Sequence, residues 1–382
     1  MNSGTLQFKT KNRRRLFLGA CPLIFTSPTL FAALPTAAYS IGVAANLGNQ
    51  FRATGGAIIK GVRSAVGQFV LGSGQPISVE VINHDANIHK AEDLLNQWVK
   101  KPRLIGLLGG GGGVAAQLVQ WTDQHQLPYG VAWASNADLL KNHPTVFRLA
   151  STDSQAALCA MNLAQEAKQP KWGLLLANNA LGRASYDALL PWMTQAPHAN
   201  HFVGVQWHSI LAQEIGAQYN SLRIKGAQWI FLVGEPRSAL ELSLSLQKQT
   251  PYGGPLVFCS SNAWDPHLFS YSQGKLAQQQ IFFSLPKRAN PIYQGLPTEL
   301  TDPASWNAFV LTKTLLTAFQ AVSIESQDAI AHLPAKNLWQ QIVKAIPAPH
   351  EMSELLSTQY YRYEKLGSLI EASSPAVFTS TN

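Results

Sequence analysis

From residue 39 onward, short apolar runs take turns with amphipathic stretches, an alternation that predicts strands and helices of a parallel α/β sheet. Ser40–Ala45 is the first strand, a loop covers Asn46–Thr54, and a helix follows over Gly55–Phe69. Ile77–Ile82 is the second strand, and Ile88–Val99 is a helix that gathers Ala91, Leu94, Leu95 and Trp98 on one face. Leu104–Leu108 is the third strand; five consecutive glycines, Gly109 to Gly113, close it, and a helix runs from Val114 to His125. Tyr129–Trp133 and Val146–Leu149 are the fourth and fifth strands.

The rhythm then restarts at a seam near Ala150-Ser151-Thr152-Asp153. Helices over Ser154–Glu166, Gly182–Thr194, Ile215–Lys225 and Pro236–Gln249 alternate with strands over Trp172–Ala177, Phe202–Trp207, Trp229–Val233 and Leu256–Cys259. A short strand at Ile281–Lys287, a Pro-rich loop over Ala289–Pro303, a helix over Ser305–Ser323 and a hairpin over Thr358–Ile370 complete the pattern. Two similar α/β halves lie in tandem, which suits the two domains expected of 382 residues.

Composition changes this picture little, since 46% hydrophobic and 13% charged residues are those of a globular chain. Charge is more informative. The formal net charge is +8, but Lys9, Lys11, Arg13, Arg14 and Arg15 stand in a leading segment with no acid. The rest carries 24 basic and 21 acidic side chains, a balance that argues against a nucleic-acid partner. In that leading segment a basic stretch precedes an apolar one, Leu16–Leu34, and small residues follow at Thr36-Ala37-Ala38, so residues 1–38 read as an export signal. Arg14-Arg15-Leu16-Phe17-Leu18 resembles the twin-arginine pattern, although a general secretory signal also tolerates an arginine pair. Past it, Cys159 and Cys259 remain, and buried thiols are expected over a disulfide.

Strand, glycine loop and helix N-terminus at Leu104–Val119 form the arrangement by which an open α/β sheet presents backbone N–H groups to a ligand. Gly111-x-Gly113-x-x-Ala116 fits a loose dinucleotide fingerprint, but it follows the third strand and lacks the expected acid some 20 residues on. No phosphate-binding GxxxxGK, HExxH or GxSxG occurs, so an NAD-dependent or hydrolytic enzyme is disfavoured. No metal or cofactor is expected. Scattered histidines, including His84 and His208, read as solvated surface, and Trp207 as core.

Several segments, in order, are similar to the type I periplasmic binding proteins of the branched-chain amino acid group that serve ABC transporters. They are Gly55–Gly61, Phe147–Gln155, Trp172–Gly182, Phe282–Pro286 and Tyr360–Ile370. The resemblance implies an α/β fold of two lobes, each a doubly wound parallel sheet, joined by three hinge crossings. Lobe one would span 39–150 plus 286–325 and lobe two 151–285 plus 326–372, with 373–382 as a tail. A monomeric, periplasmic protein would then trap a small molecule by hinge closure and deliver it to an ABC permease in the inner membrane. An exported sensor or accessory subunit without a transporter is the alternative.

Ligand-binding candidates come from the loops after the strands: Phe51, Gly110, Gly111, Gly112, Trp133, Ser135, Asn179, Glu235 and Ser261. By the resemblance, Ser135 matches one hydroxyl that holds a ligand carboxylate, while the second hydroxyl position falls in the glycine run. The acid that holds a ligand ammonium falls near Ser261, which is neutral, leaving Glu235 as the nearby acid. Both ends of the amino-acid clamp are altered, so a ligand other than a standard branched-chain amino acid is expected. Trp133 is open to a core or a cleft role, Asn179 to a turn role, and Glu235 to a plain helix-start role.

Overall fold

A computed structural model describes residues 39–48, 52–73, 76–85, 87–100, 103–110, 112–166, 170–209, 214–247, 254–325, 334–346, 358–363 and 369–371. Residues 1–38, which carry the expected export signal, Phe51, Gly111 and residues 373–382 lie outside these residues. Among the described residues, no helix is long and apolar enough to cross a membrane.

The first sheet has five parallel strands in the order β2-β1-β3-β4-β5. These are β1 (Tyr39–Ala45), β2 (Ile77–Asn83), β3 (Leu104–Gly110), β4 (Tyr129–Trp133) and β5 (Val146–Arg148). Buried on both faces, β1, β3 and β4 are the apolar runs of the sequence. Helices α1 (Ala53–Ser73), α2 (Ile88–Trp98) and α3 (Gly112–His125) make the crossovers.

The second sheet has the order β12-β11-β10-β9-β8-β6-β7. Its strands β6 (Trp172–Ala177), β7 (Phe202–His208), β8 (Trp229–Val233), β9 (Leu256–Cys259) and β10 (Ile281–Pro286) are parallel. The hairpin β11 (Thr358–Tyr363) and β12 (Leu369–Glu371) adds an antiparallel edge on β10. Helices α4 (Asp153–Glu166), α5 (Ala180–Thr194), α6 (Ile215–Ile224) and α7 (Pro236–Leu246) connect them, and the short α8 (Leu268–Tyr271) follows β9.

The chain crosses from the first sheet to the second between β5 and α4, and returns between β10 and α9 (Pro303–Glu325). Helix α9 packs on α1 and β4 in the first lobe. Asn307 anchors it there, donating to the Ala132 carbonyl at 3.0 Å while accepting from the Tyr293 hydroxyl at 2.5 Å.

One boundary needs correction. Residues 326–372 were expected in lobe two, but α10 (Ala335–Ala345) packs on α9 and β3 of lobe one. Its Trp339 is buried in the same core cluster as Trp98, Leu104 and Leu107, and the indole N–H donates to the Leu104 carbonyl at 2.6 Å. The helix's apolar face, Leu338, Trp339 and Ile342, is compatible with either sheet, so only this fit to β3 assigns it.

The histidine and Trp207 expectations also fail in part. His84 and His208 are buried, and Trp207 is half-exposed against Tyr186, on β7, which is the edge of the sheet among the described residues. No disulfide joins Cys159 and Cys259. The Cys259 thiol packs with Val257 and Phe283 on one face of the second sheet, while α4 sets Cys159 against the Phe258 and Tyr360 face.

Candidate functional site

Loops at the carboxyl ends of the two parallel sheets meet. Trp133, at the end of β4, packs on Trp264, beyond β9, with ring centroids 5.6 Å apart. Thr54, in the first turn of α1, donates to Asp265 beyond β9, from its hydroxyl at 2.8 Å and its N–H at 3.2 Å. The Ser135 carbonyl, beyond β4, accepts the Asp153 N–H at the start of α4 at 3.0 Å. Helix α5 of the second lobe approaches α3 and the short 3-10 turn at Ala137–Leu140 of the first.

Asp153 is the polar centre of this junction. The Ser185 hydroxyl donates to its Oδ2 at 2.6 Å. Complete burial pushes its pKa up; the hydroxyls of Ser185, Ser135 and Ser260, and then the Arg148 charge, work against that rise. Arg148 is itself buried, which lowers its pKa to about 10, with Asp153 opposing the shift. Its guanidinium donates to the Asn136 carbonyl, and no direct ion pair with Asp153 closes.

Beside this cluster two buried polar atoms have no hydrogen-bond partner, Trp133 Nε1 and Arg148 Nε. Each such atom costs about 1–3 kcal/mol when left unsatisfied, so the pair calls for water or a bound group. Ser135 and Trp133 come from one lobe, Ser260 and Asp153 from the other.

A family model described as periplasmic binding protein matches residues 38–290. The chain belongs to that family. Solved structures agree in fold. A leucine-binding protein from Thermotoga maritima aligns with TM-score 0.68 at 12% identity, over 89% of this chain and 99% of that one. A branched-chain amino acid ABC transporter protein from Thermus thermophilus with bound valine aligns with TM-score 0.68 at 12% identity, over 89% and 97%. A fatty acid ABC transporter substrate-binding protein from Thermomonospora curvata aligns with TM-score 0.66 at 13% identity, over 87% and 91%. No curated protein matches the chain by sequence. The architecture is therefore the type I periplasmic binding protein fold, with two lobes of parallel-rich sheet.

Within this family fold the candidate residues take different roles. Trp133 and Ser135 stand at the lobe junction, Trp133 with an unpartnered indole N–H and Ser135 with its hydroxyl toward Asp153. At Gly110 a Cβ would stand 2.6 Å from the Trp133 backbone nitrogen, so the close approach of β3 to β4 by itself calls for a glycine there. Gly112 opens α3, where N–H groups face away from the helix body. Phe51 and Gly111 lie outside the described residues. Asn179 is the N-cap of α5 and its side chain accepts from the Gly182 N–H at 3.1 Å, which commits it to the helix start. Ser261 is buried in the 3-10 turn Ser261–Ala263. Glu235 sits at the N-cap position of α7 without making a cap bond, and burial raises its pKa.

Sequence reasoning passed over Asp153 and Asp265; it placed Ser260 on a cleft loop and Trp264 near one as a stacking aromatic, without choosing either as a site residue. The signal for Asp265 was present: it lies four residues beyond Ser261, past the carboxyl end of a parallel strand. Glu235 was therefore not the only acid near this end of lobe two. Asp153 was quoted as part of the seam, but the hydroxyls that gather on it come from positions far apart in sequence.

Proposed function

We propose that this chain is an exported solute-binding protein that closes its lobes on a small ligand and passes it to an ABC permease, and that the ligand is not a standard branched-chain amino acid. The observation that carries the proposal is the buried polar cluster that both lobes contribute at the strand ends, Ser135 with Asp153 and Ser260, beside the unpartnered Trp133 Nε1. Two structural neighbours named for ABC transporters support the transport role. The altered clamp supports the unusual ligand. One hydroxyl position falls in the glycine run, Ser261 is neutral, and Asp265 is already engaged by Thr54. Glu235 is left as the acid that a ligand N–H would meet.

A screen of amino acids, amides, aromatic acids and alcohols, read by thermal shift and tryptophan fluorescence, tests this. Leucine and valine are expected to produce no shift, and a member of another class to produce one. Micromolar affinity for leucine or valine would overturn the ligand assignment.

Glu235 allows a second check. Its carboxyl rises above the usual 4.5 because burial disfavours the charge. A group raised in the folded state contributes stability below its unfolded pKa, and that contribution is lost as pH rises through the folded pKa. Glu235→Gln is expected to raise stability at neutral pH by ~0.5–2 kcal/mol, with the gain shrinking as pH falls through the raised pKa and gone below the unfolded value of 4.5. The same variant is expected to lose the ligand found by the screen. Thermal melts across pH 4–8 and a binding titration measure the two effects.

A further inference from the structure

Three acids stand where the second lobe meets the first, and two of them are engaged. Asp153 gathers the hydroxyls of Ser185, Ser135 and Ser260 and offsets the Arg148 charge. Asp265 accepts from the Thr54 N–H and hydroxyl and from the His267 N–H. Glu235 is the third. It follows β8, the strand beside β9, at the same sheet end from which Asp265 reaches lobe one. Its half-buried carboxylate caps no N–H of α7 and meets no cation among the described residues. Arg237, two residues on, pairs instead with Glu241 at 3.7 Å. His208, whose ring lies near Gly234, brings no balancing charge, because burial lowers its pKa. A carboxylate in this position loses hydration without compensation, and an ammonium group supplies what is missing.

Donors for an anionic group are, by contrast, committed. The Ser135 hydroxyl, the position expected to hold a ligand carboxylate, is turned to Asp153. Arg148 is buried, its guanidinium donates to the Asn136 carbonyl, and its charge is offset by Asp153. Arg52, just before α1, is exposed, where water and salt screen its charge. The indole N–H of Trp133 remains, buried and unpartnered. It is a neutral donor that suits a hydroxyl or carbonyl oxygen. An amino acid brings one charge of each sign, and this junction compensates only the positive one.

We infer, taking the chain as a solute-binding protein, that its ligand is an organic amine whose second polar group is neutral, an amino alcohol or amino amide. Glu235 holds the ammonium, and the Trp133 indole N–H donates to the neutral oxygen.

The test titrates the purified protein with alanine, leucine and phenylalanine, each as the amino acid, the amino alcohol, the amino amide and the N-acetylated alcohol. Calorimetry and tryptophan fluorescence read binding. Within each set the side chain is constant, and only the carboxylate and the ammonium change. An amino alcohol or amino amide is expected to bind, with its parent amino acid and its acetylated form at least about tenfold weaker. Glu235→Gln is expected to weaken that compound by about 10- to 100-fold, the scale of losing a charged hydrogen bond. Asp187→Asn, which neutralises an exposed acid of the same lobe, is expected to change it by less than about twofold. The acetylated compounds remove the ammonium from the ligand side, a readout that does not need the variant to fold. Tighter binding of a parent amino acid would overturn the ligand class and place its carboxylate on the N–H groups that open α3. Equal affinity in the wild type and Glu235→Gln, or tighter binding of an acetylated alcohol, would also overturn it. Each of these results leaves a solute-binding protein, whereas no binding by any of the compounds would overturn that reading and the ligand class together.

Discussion

Gly110→Ala is expected to cost roughly 3–5 kcal/mol of stability, a large share of the ~5–15 kcal/mol that holds a typical domain. Two penalties act together. Gly110 has φ of +155°, a region that residues with a Cβ rarely adopt. The added Cβ would also stand 2.6 Å from the backbone nitrogen of Trp133 and 3.1 Å from its oxygen, and backbone cannot rotate aside. The register between β3 and β4 shifts at this point, so the whole end of the fourth strand would move, and Trp133 with it. Gly56→Ala is the control. It lies inside α1, an added Cβ there meets nothing within 4 Å, and the change is expected to stabilise by up to ~1 kcal/mol. Denaturant unfolding of both variants measures the contrast. A Gly110→Ala variant of wild-type stability with weakened ligand binding would return this glycine to the cleft wall.

Asp153→Ala is expected to destabilise the protein by about 3 kcal/mol. The loss has two parts. The Ser185 hydroxyl is stripped of the carboxylate it donates to at 2.6 Å, and the buried Arg148 charge loses its balancing partner. Arg148→Met in the same background is expected to recover part of the loss, because a neutral side chain of similar length removes the uncompensated charge. Additive effects in that double-mutant cycle would show that Arg148 and Asp153 act independently. Ligand affinity in Asp153→Ala is expected to fall as well, since the Asp153 carboxylate gathers the hydroxyls of Ser135 from one lobe and of Ser185 and Ser260 from the other.

The strands were legible because each is a short apolar run bounded by loop residues, and β1, β3, β4, β6, β8 and β9 appear close to the expected positions. The seam at Ala150–Asp153 was legible for the same reason: the strand-helix rhythm restarts there, and α4 begins at Asp153. Helix α10 was not read at all. Its polar and apolar positions identify an amphipathic helix once its bounds are known, but nothing local says which of two sheets it covers. Trp339 decides that by reaching the Leu104 carbonyl, 235 residues earlier.

The glycine run separates local from tertiary information most clearly. Its sequence showed a bare loop between a strand and a helix, and a ligand was the natural reason. Neighbouring strands supply a different reason for two of the five: Gly109 lies where a Cβ would meet the Ala44 carbonyl at 2.7 Å, and Gly110 where it would meet Trp133. Contacts of this kind are invisible along the chain, because the atoms that exclude the Cβ belong to β1 and β4.

By itself, then, the sequence determined a tandem α/β chain with parallel sheets and the loops at which a ligand site can form. Those properties follow from hydrophobic periodicity and the fixed geometry of parallel connections, which act locally. Only the tertiary structure decided which polar residues meet between the lobes, which acid is engaged and which is left over, and that Trp264-Asp265 reaches the opposite lobe. Burial and pairing set those outcomes, and both depend on side chains brought together from positions as far apart as 54 and 265.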